Sequence, residues 1–160
     1  MDKHYLTPLF APASIAVLAG RADNPEPLTS YAQALHPALR AQRFAGSLQF
    51  VDTHTSGTLA DLAQRKSDLA IIALPPAEVP AALEVAGRIG CRAALVLSSG
   101  MDADQAANLK KIARREGLYL LGPNSLGFQR PHLQLNASAA GPLASDGPLA
   151  LVCQSGALTS

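Results

Sequence analysis

Four short stretches hold the residues best suited to meet a ligand: Gly20 to Asn24, Leu74-Pro75-Pro76, Ser98-Ser99-Gly100 and Gly122-Pro123-Asn124-Ser125. Each offers glycine, proline, a small hydroxyl or an amide, and little charge. Glycine reaches backbone angles closed to other residues, and proline fixes its own φ, so such stretches make rigid turns. Backbone N–H groups near helix N-termini suit an anion such as a phosphate. None of the stretches supplies a general base or a metal site. His4, His36, His54 and His132 fall on separate segments without carboxylate partners at motif spacing, and each reads as a surface or loop residue. No G-x-S-x-G nucleophile motif is present. These residue types fit a chain that binds something phosphorylated, or nothing, and they do not make a complete catalyst.

The elements that would position the four stretches follow from hydrophobic patterning. Ser14 to Ala19 is a continuous apolar run ending at Gly20, after a lead-in over 5–13. Pro25 and Pro27 suit a helix start, and Leu28, Tyr31, Leu35 and Leu39 recur at helical spacing; Pro37 is expected to end or kink that helix near His36. Ser47 to Asp52 alternates as a second strand, and Thr58 to Gln64 gives a short helix. Asp68 to Leu74 is the clearest strand, followed by a helix over Glu78 to Arg88. Cys91 to Leu97 and Leu118 to Leu121 are further strands, with a helix from Asp102 to Glu116 between them and Gly117 as its C-terminal cap. Alternating strands and helices at this spacing predict an α/β fold with a doubly wound, mostly parallel sheet of Rossmann type. All four polar stretches then follow strand ends and line the carboxyl edge of the sheet, where such folds take ligands.

After Gly127 the chain changes character. Residues 129–147 are rich in proline, glycine and small polar residues and read as an extended connector. Leu149 to Cys153 is a fresh apolar strand, and the chain stops at Ser160, where a helix would begin. Three parts are expected: a binding domain over 1–128, a connector over 129–147, and the first strand and loop of a following domain over 148–160. Left alone, Leu149 to Cys153 is expected to add to the edge of its own sheet or to pair with another copy.

Composition narrows the function classes. Of 160 residues, 48% are hydrophobic and 16% charged, which describes a folded domain with its own core. A net charge of +1 and 4% aromatics give nucleic-acid binding neither electrostatic nor stacking support. Lys110, Lys111, Arg114 and Arg115 cluster at helical spacing and read as a solvated helix face. Cys91 and Cys153 suggest neither a disulfide framework nor a zinc site, so a reducing cytoplasm is expected. No apolar run approaches the roughly 20 residues that span a bilayer, so no membrane partner is expected. A nicotinamide fingerprint needs G-x-G-x-x-G after strand one and an acid near the end of strand two. Gly20 and Asp52 alone match it, which makes NAD the weaker alternative.

Several pieces together resemble the CoA-binding domain of NDP-forming acyl-CoA synthetases, and more distantly the alpha subunit of succinyl-CoA synthetase. They are Leu9 to Val17, Asp68 to Pro80, Ser98-Ser99-Gly100, Leu120 to Gly127, Leu135-Asn136-Ala137-Ser138 and Leu151 to Leu158, in the family's order across nearly the whole chain. The same domains also occur in proteins that append a GNAT acetyltransferase module, where the synthetase part can be degenerate and regulatory. The resemblance implies CoA or an acyl-CoA along the carboxyl edge, with the nucleotide end at the first loop and the pantetheine arm running towards Asn124 and Ser125. Its phosphorylated histidine would lie in the following domain, which Gln154-Ser155-Gly156-Ala157 would open. The chain alone is therefore expected to ligate nothing, and its partners to be a CoA thioester and the following domain.

The residues carried over as CoA-binding are Gly20, Arg21, Ala22 and Asp52 in the first two loops. Leu74, Pro75 and Pro76 belong to the third, Ser98, Ser99 and Gly100 to the fourth, and Asn124 and Ser125 to the last. The first two loops depart from the family. Its Gly-Ala-Ser after strand one stands here as Gly20-Arg21-Ala22, and its Asn-Pro after strand two as Asp52-Thr53. Asp52 places a negative charge near CoA phosphates, which Arg21 would partly offset. Ser125 replaces a commoner cysteine. A second reading follows from those departures: a non-catalytic domain that keeps the fold, has lost tight CoA affinity and serves regulation or assembly.

Overall fold

A computed structural model describes residues 4–20, 29–51 and 66–156 of the chain. Its centre is a five-stranded parallel sheet in the order β2-β1-β3-β4-β5. The strands are β1 (Ser14–Leu18), β2 (Ser47–Phe50), β3 (Leu69–Ile72), β4 (Ala93–Val96) and β5 (Tyr119–Leu121). Every residue of β3 and β4 is buried, as strands covered on both faces require. Side chains alternate cleanly across the pleat. Ala16, Leu18, Ala70, Ile72, Ala94 and Val96 enter one core. Ile15, Val17, Leu69, Ile71, Ala93 and Leu95 enter the other.

Helices α3 (Val79–Arg88) and α4 (Ala103–Arg115) cover the first face with Val79, Ala82, Leu83 and Ala86, and with Leu109, Ile112 and Ala113. The short α1 (Thr7–Phe10) and α2 (Ser30–Arg40) cover the second through Leu9, Ala32, Leu35 and Leu39. Helix α4 starts and stops where the sequence placed it. Asp102 accepts the Gln105 N–H at 2.8 Å, the Gln105 side-chain oxygen accepts the Asp102 N–H at 2.9 Å, and Gly117 follows at φ +72°.

Three expectations need correction. Helix α2 starts at Ser30 behind its N-cap Thr29, and it runs through Pro37 to Arg40. Proline has no amide for the carbonyl four residues back. The last turn nevertheless closes, with Ala41 N–H on the Pro37 carbonyl at 2.9 Å, because Leu35 and Leu39 on either side of the proline are both anchored in the core.

The connector expected from Gln129 contains a hairpin. Strand β6 (Gly127–Arg130) pairs antiparallel with β7 (Leu135–Ser138) around a 3-10 turn at Pro131–Leu133. The hairpin is part of the packing: Leu135 and Ala137 complete the core on the α2 face. Phe128 meets Phe10 edge to face at 5.4 Å, and the Arg130 guanidinium donates to the Phe10 carbonyl at 2.8 Å.

Finally, Leu149 to Cys153 adopts no strand. Leu149, Leu151 and Val152 are 96%, 73% and 95% exposed. The segment returns to the body just beyond, where Gly156 stands so close to Leu126 that a Cβ would come within 2.8 Å of its side chain.

Candidate functional site

With all five strands parallel, the loops after β1, β3, β4 and β5 emerge at one edge. The sheet runs from β1 to β2 on one side and from β1 to β3, β4 and β5 on the other, so the direction of winding reverses between β1 and β3. The crevice outside the carboxyl ends at such a reversal is where doubly wound sheets take ligands.

Gly20 stands past β1 at φ +69°, after the buried Ala19. Arg21, Ala22 and Asp52 lie outside the described residues, as do Pro25, Pro27, His54 and the helix expected over Thr58 to Gln64. On the far side of the crevice, Leu74 is buried, Pro75 exposed and Pro76 half-buried. Pro76 faces the next loop, since a Cβ on Gly100 would lie 4.0 Å from its ring. Ser98 is buried and donates its hydroxyl proton to the Leu74 carbonyl at 2.6 Å. Ser99 is half-buried and Gly100 exposed. The turn after β5 has a cis Gly122–Pro123 bond and an exposed Asn124 at φ +58°, whose N–H donates to the Ser98 carbonyl at 2.9 Å. Ser125 turns its oxygen inward to accept the Gly127 N–H at 3.0 Å.

The loops after β3, β4 and β5 thus form one bonded unit. Ser98 and Ser125, selected from the sequence for their hydroxyls, use them to shape the edge. The surface they leave includes main chain, the Pro75 and Pro76 rings, the half-buried Ser99 and the Asn124 amide. Among the described residues, no three or more His, Cys, Asp or Glu side chains are gathered to hold a metal. Such an edge can receive a ligand by backbone hydrogen bonds and apolar contact.

Thr29, which the resemblance places with Ser30 where small flexible residues would help phosphates approach, has a capping role that the patterning did not show. It caps α2 by accepting the Ala32 N–H at 3.1 Å and donates to the Ala73 carbonyl, past the end of β3, at 2.7 Å. A threonine just ahead of an apolar helical period is an N-cap signal. Its bond across the sheet edge depends on where β3 ends relative to α2. His36, expected on the surface or in a loop, is instead buried on α2, stacked on Phe50 at 5.1 Å, and among the described residues neither ring nitrogen has a partner. His132 is exposed 3.5 Å from Asp146, and His4 lies beside Tyr5.

Comparison with known proteins agrees with this architecture. The profile described as "CoA binding domain" matches residues 47–131, just over half the chain. An ADP-forming acetate–CoA ligase of Methanocaldococcus jannaschii is 34% identical over 95 residues, covering 57% of this chain and 14% of that protein. The alpha subunit of ADP-forming acetate–CoA ligase I of Pyrococcus furiosus is 37% identical over 98 residues, covering 57% of this chain and 21% of the subunit. A crystal structure from Pyrococcus horikoshii OT3 superimposes with a TM-score of 0.80 at 26% identity, over 96% of this chain and 37% of that one. A dinucleotide-forming acetyl-coenzyme A synthetase of Ca. Korarchaeum cryptofilum, solved with phosphate and ADP, has the same fold with a TM-score of 0.79 at 24% identity, over 96% of this chain and 34% of that one. The match therefore spans about a fifth or less of the ligase sequences and about a third of the solved chains.

Proposed function

The chain belongs to the CoA binding domain family, and from that premise we propose that it binds the CoA moiety of CoA or an acyl-CoA in the crevice at the carboxyl ends of β1 and β3. One observation carries the proposal: the winding reversal and the bonded loops after β3, β4 and β5 meet at a single edge built of backbone, proline and small polar groups. A long, flexible ligand with phosphates at one end and an amide-rich arm fits such an edge better than a compact one. The nucleotide end would lie by Gly20, and the pantetheine arm would run across Pro76 and Gly100 towards Asn124.

By the same reading, the chain is the CoA-binding portion of an ADP-forming acyl-CoA synthetase-like protein. Residues 1–128 with the hairpin would form the binding unit, and residues 148–160 would open the next domain. The acyl transfer and nucleotide chemistry would then belong to other parts of the protein. Calorimetric titration with CoA, acetyl-CoA, NAD and ADP tests the proposal. Saturable heat with CoA and acetyl-CoA, and none with NAD, is the expected result. A folded chain that takes up no CoA overturns it and favours a non-catalytic domain that has kept only the fold.

A further inference from the structure

We infer that Thr29 and Ser98 are positioning residues that set the crevice before any ligand arrives, by holding the two successive carbonyls that follow β3. The inference rests on the CoA reading for the identity of the ligand only.

The sheet ladder ends at this point. The Ala73 N–H still reaches the Leu18 carbonyl at 3.0 Å, and the Leu97 N–H reaches the Ile72 carbonyl at 2.9 Å. The carbonyls of Ala73 and Leu74 lie beyond the last strand pairing, in buried residues. A buried carbonyl needs a donor. Here the donors are side chains from opposite sides. Thr29 Oγ1 comes from the head of α2 to Ala73 at 2.7 Å, and Ser98 Oγ from the loop after β4 to Leu74 at 2.6 Å.

Each residue is also tied to something further out, Thr29 through its hydroxyl and Ser98 through its carbonyl. Thr29 accepts the Ala32 N–H, which fixes the first turn of α2. The Ser98 carbonyl accepts the Asn124 N–H, which fixes the turn after β5. The bonds run from Ala32 through Thr29 to Ala73, and from the adjacent Leu74 through Ser98 to Asn124. The two walls of the crevice are thereby referred to one dipeptide just past the end of the central strand β3. A hydroxyl has one proton to give, and both of these are given to main chain. Neither hydroxyl has a proton left to donate to a ligand, so each side chain acts through the groups it places. Ordering that is already present need not be supplied on binding, and that raises affinity.

The test combines CoA titration with amide hydrogen exchange on the full chain without ligand, using Ser98→Ala, Thr29→Val and the hydroxyl-retaining Thr29→Ser. We expect Ser98→Ala and Thr29→Val each to weaken CoA binding about three- to tenfold, the scale of one hydrogen bond. Exchange at Ala32 and Asn124 should quicken while Ile71 and Leu95, central in β3 and β4, keep their protection. Thr29→Ser should restore both readouts. Unchanged CoA affinity in Ser98→Ala overturns the inference. So does exchange at Ile71 and Leu95 rising in step with the loops, because that marks global destabilisation. If the unaltered chain takes up no CoA, the exchange arm decides alone. Quickening confined to the loop amides then upholds the positioning role and sinks only the CoA reading, and its absence sinks the positioning role.

Discussion

Gly122 lies flush against the carbonyl oxygen of Val96, at φ +102°, with no room for a Cβ between them. The turn after β5 can therefore lie against the end of β4 only because residue 122 has no side chain. We expect Gly122→Ala to cost about 2–4 kcal/mol, combining backbone strain with an overlap that only main-chain movement can relieve. For a chain of this size that is a fall in melting temperature of roughly 5–15 °C. Thermal unfolding followed by circular dichroism measures it, and a change below about 2 °C would show that the turn has another way to lie.

Asp102 and Gln105 close α4 with a reciprocal pair of bonds. Removing the carboxylate in Asp102→Ala should cost about 1 kcal/mol in urea unfolding. Asp102→Asn keeps an acceptor of equal capping rank and should lose much less. Equal losses in the two variants would mean that the charge, and not the cap, matters.

Cys91 is buried behind α3, and burial, with a smaller contribution from the Asp68 carboxylate, pushes its thiol up to about 12 from 9.0. The folded state therefore holds a proton that the unfolded chain releases at lower pH. The sign follows: this contribution to stability is complete below about 9 and is lost as pH rises towards about 12. Urea midpoints between pH 8 and 11 should fall more steeply for the natural chain than for Cys91→Ala. At pH 8 a thiol reagent should modify the half-buried Cys153 quickly and reach Cys91 only on unfolding. Parallel pH profiles for the two chains would contradict the assignment.

Much of this fold could be read in the sequence because β1, β3 and β4 are apolar on both faces, and only a parallel sheet covered on both sides explains such runs. The four loops followed from the strands. What the groups in those loops do did not: the Ser98 hydroxyl turns inward because the register of β3 on β4 brings Leu74 opposite it. The hairpin stayed hidden for a related reason. Asn136 and Ser138 break the apolar pattern of β7, yet both are buried and satisfied. Ser138 donates to the Asn136 amide oxygen at 2.7 Å, and Asn136 donates to the Gly141 carbonyl at 2.9 Å. Polar residues that find partners nearby read as loop in one dimension and pack as core in three. Leu149 to Cys153 shows the converse, since an apolar run implies a partner without saying where it lies.

That run supports the last expectation. Leu149 and Val152 are almost wholly exposed and Leu151 largely so, and apolar side chains contribute to stability through the area they remove from water, about 25 cal/mol per Å². Here that area is small and comes mainly from Leu151, so replacing all three by serine should move the urea midpoint by less than the equivalent of about 1.5 kcal/mol. The same exposure leaves apolar surface open to any other copy at high concentration. Light scattering over a concentration series should thus rise for the natural chain and stay flat for the triple serine variant. A stability loss well above that limit would mean the segment is docked in solution, in which case its apolar side chains contribute to the domain's own core.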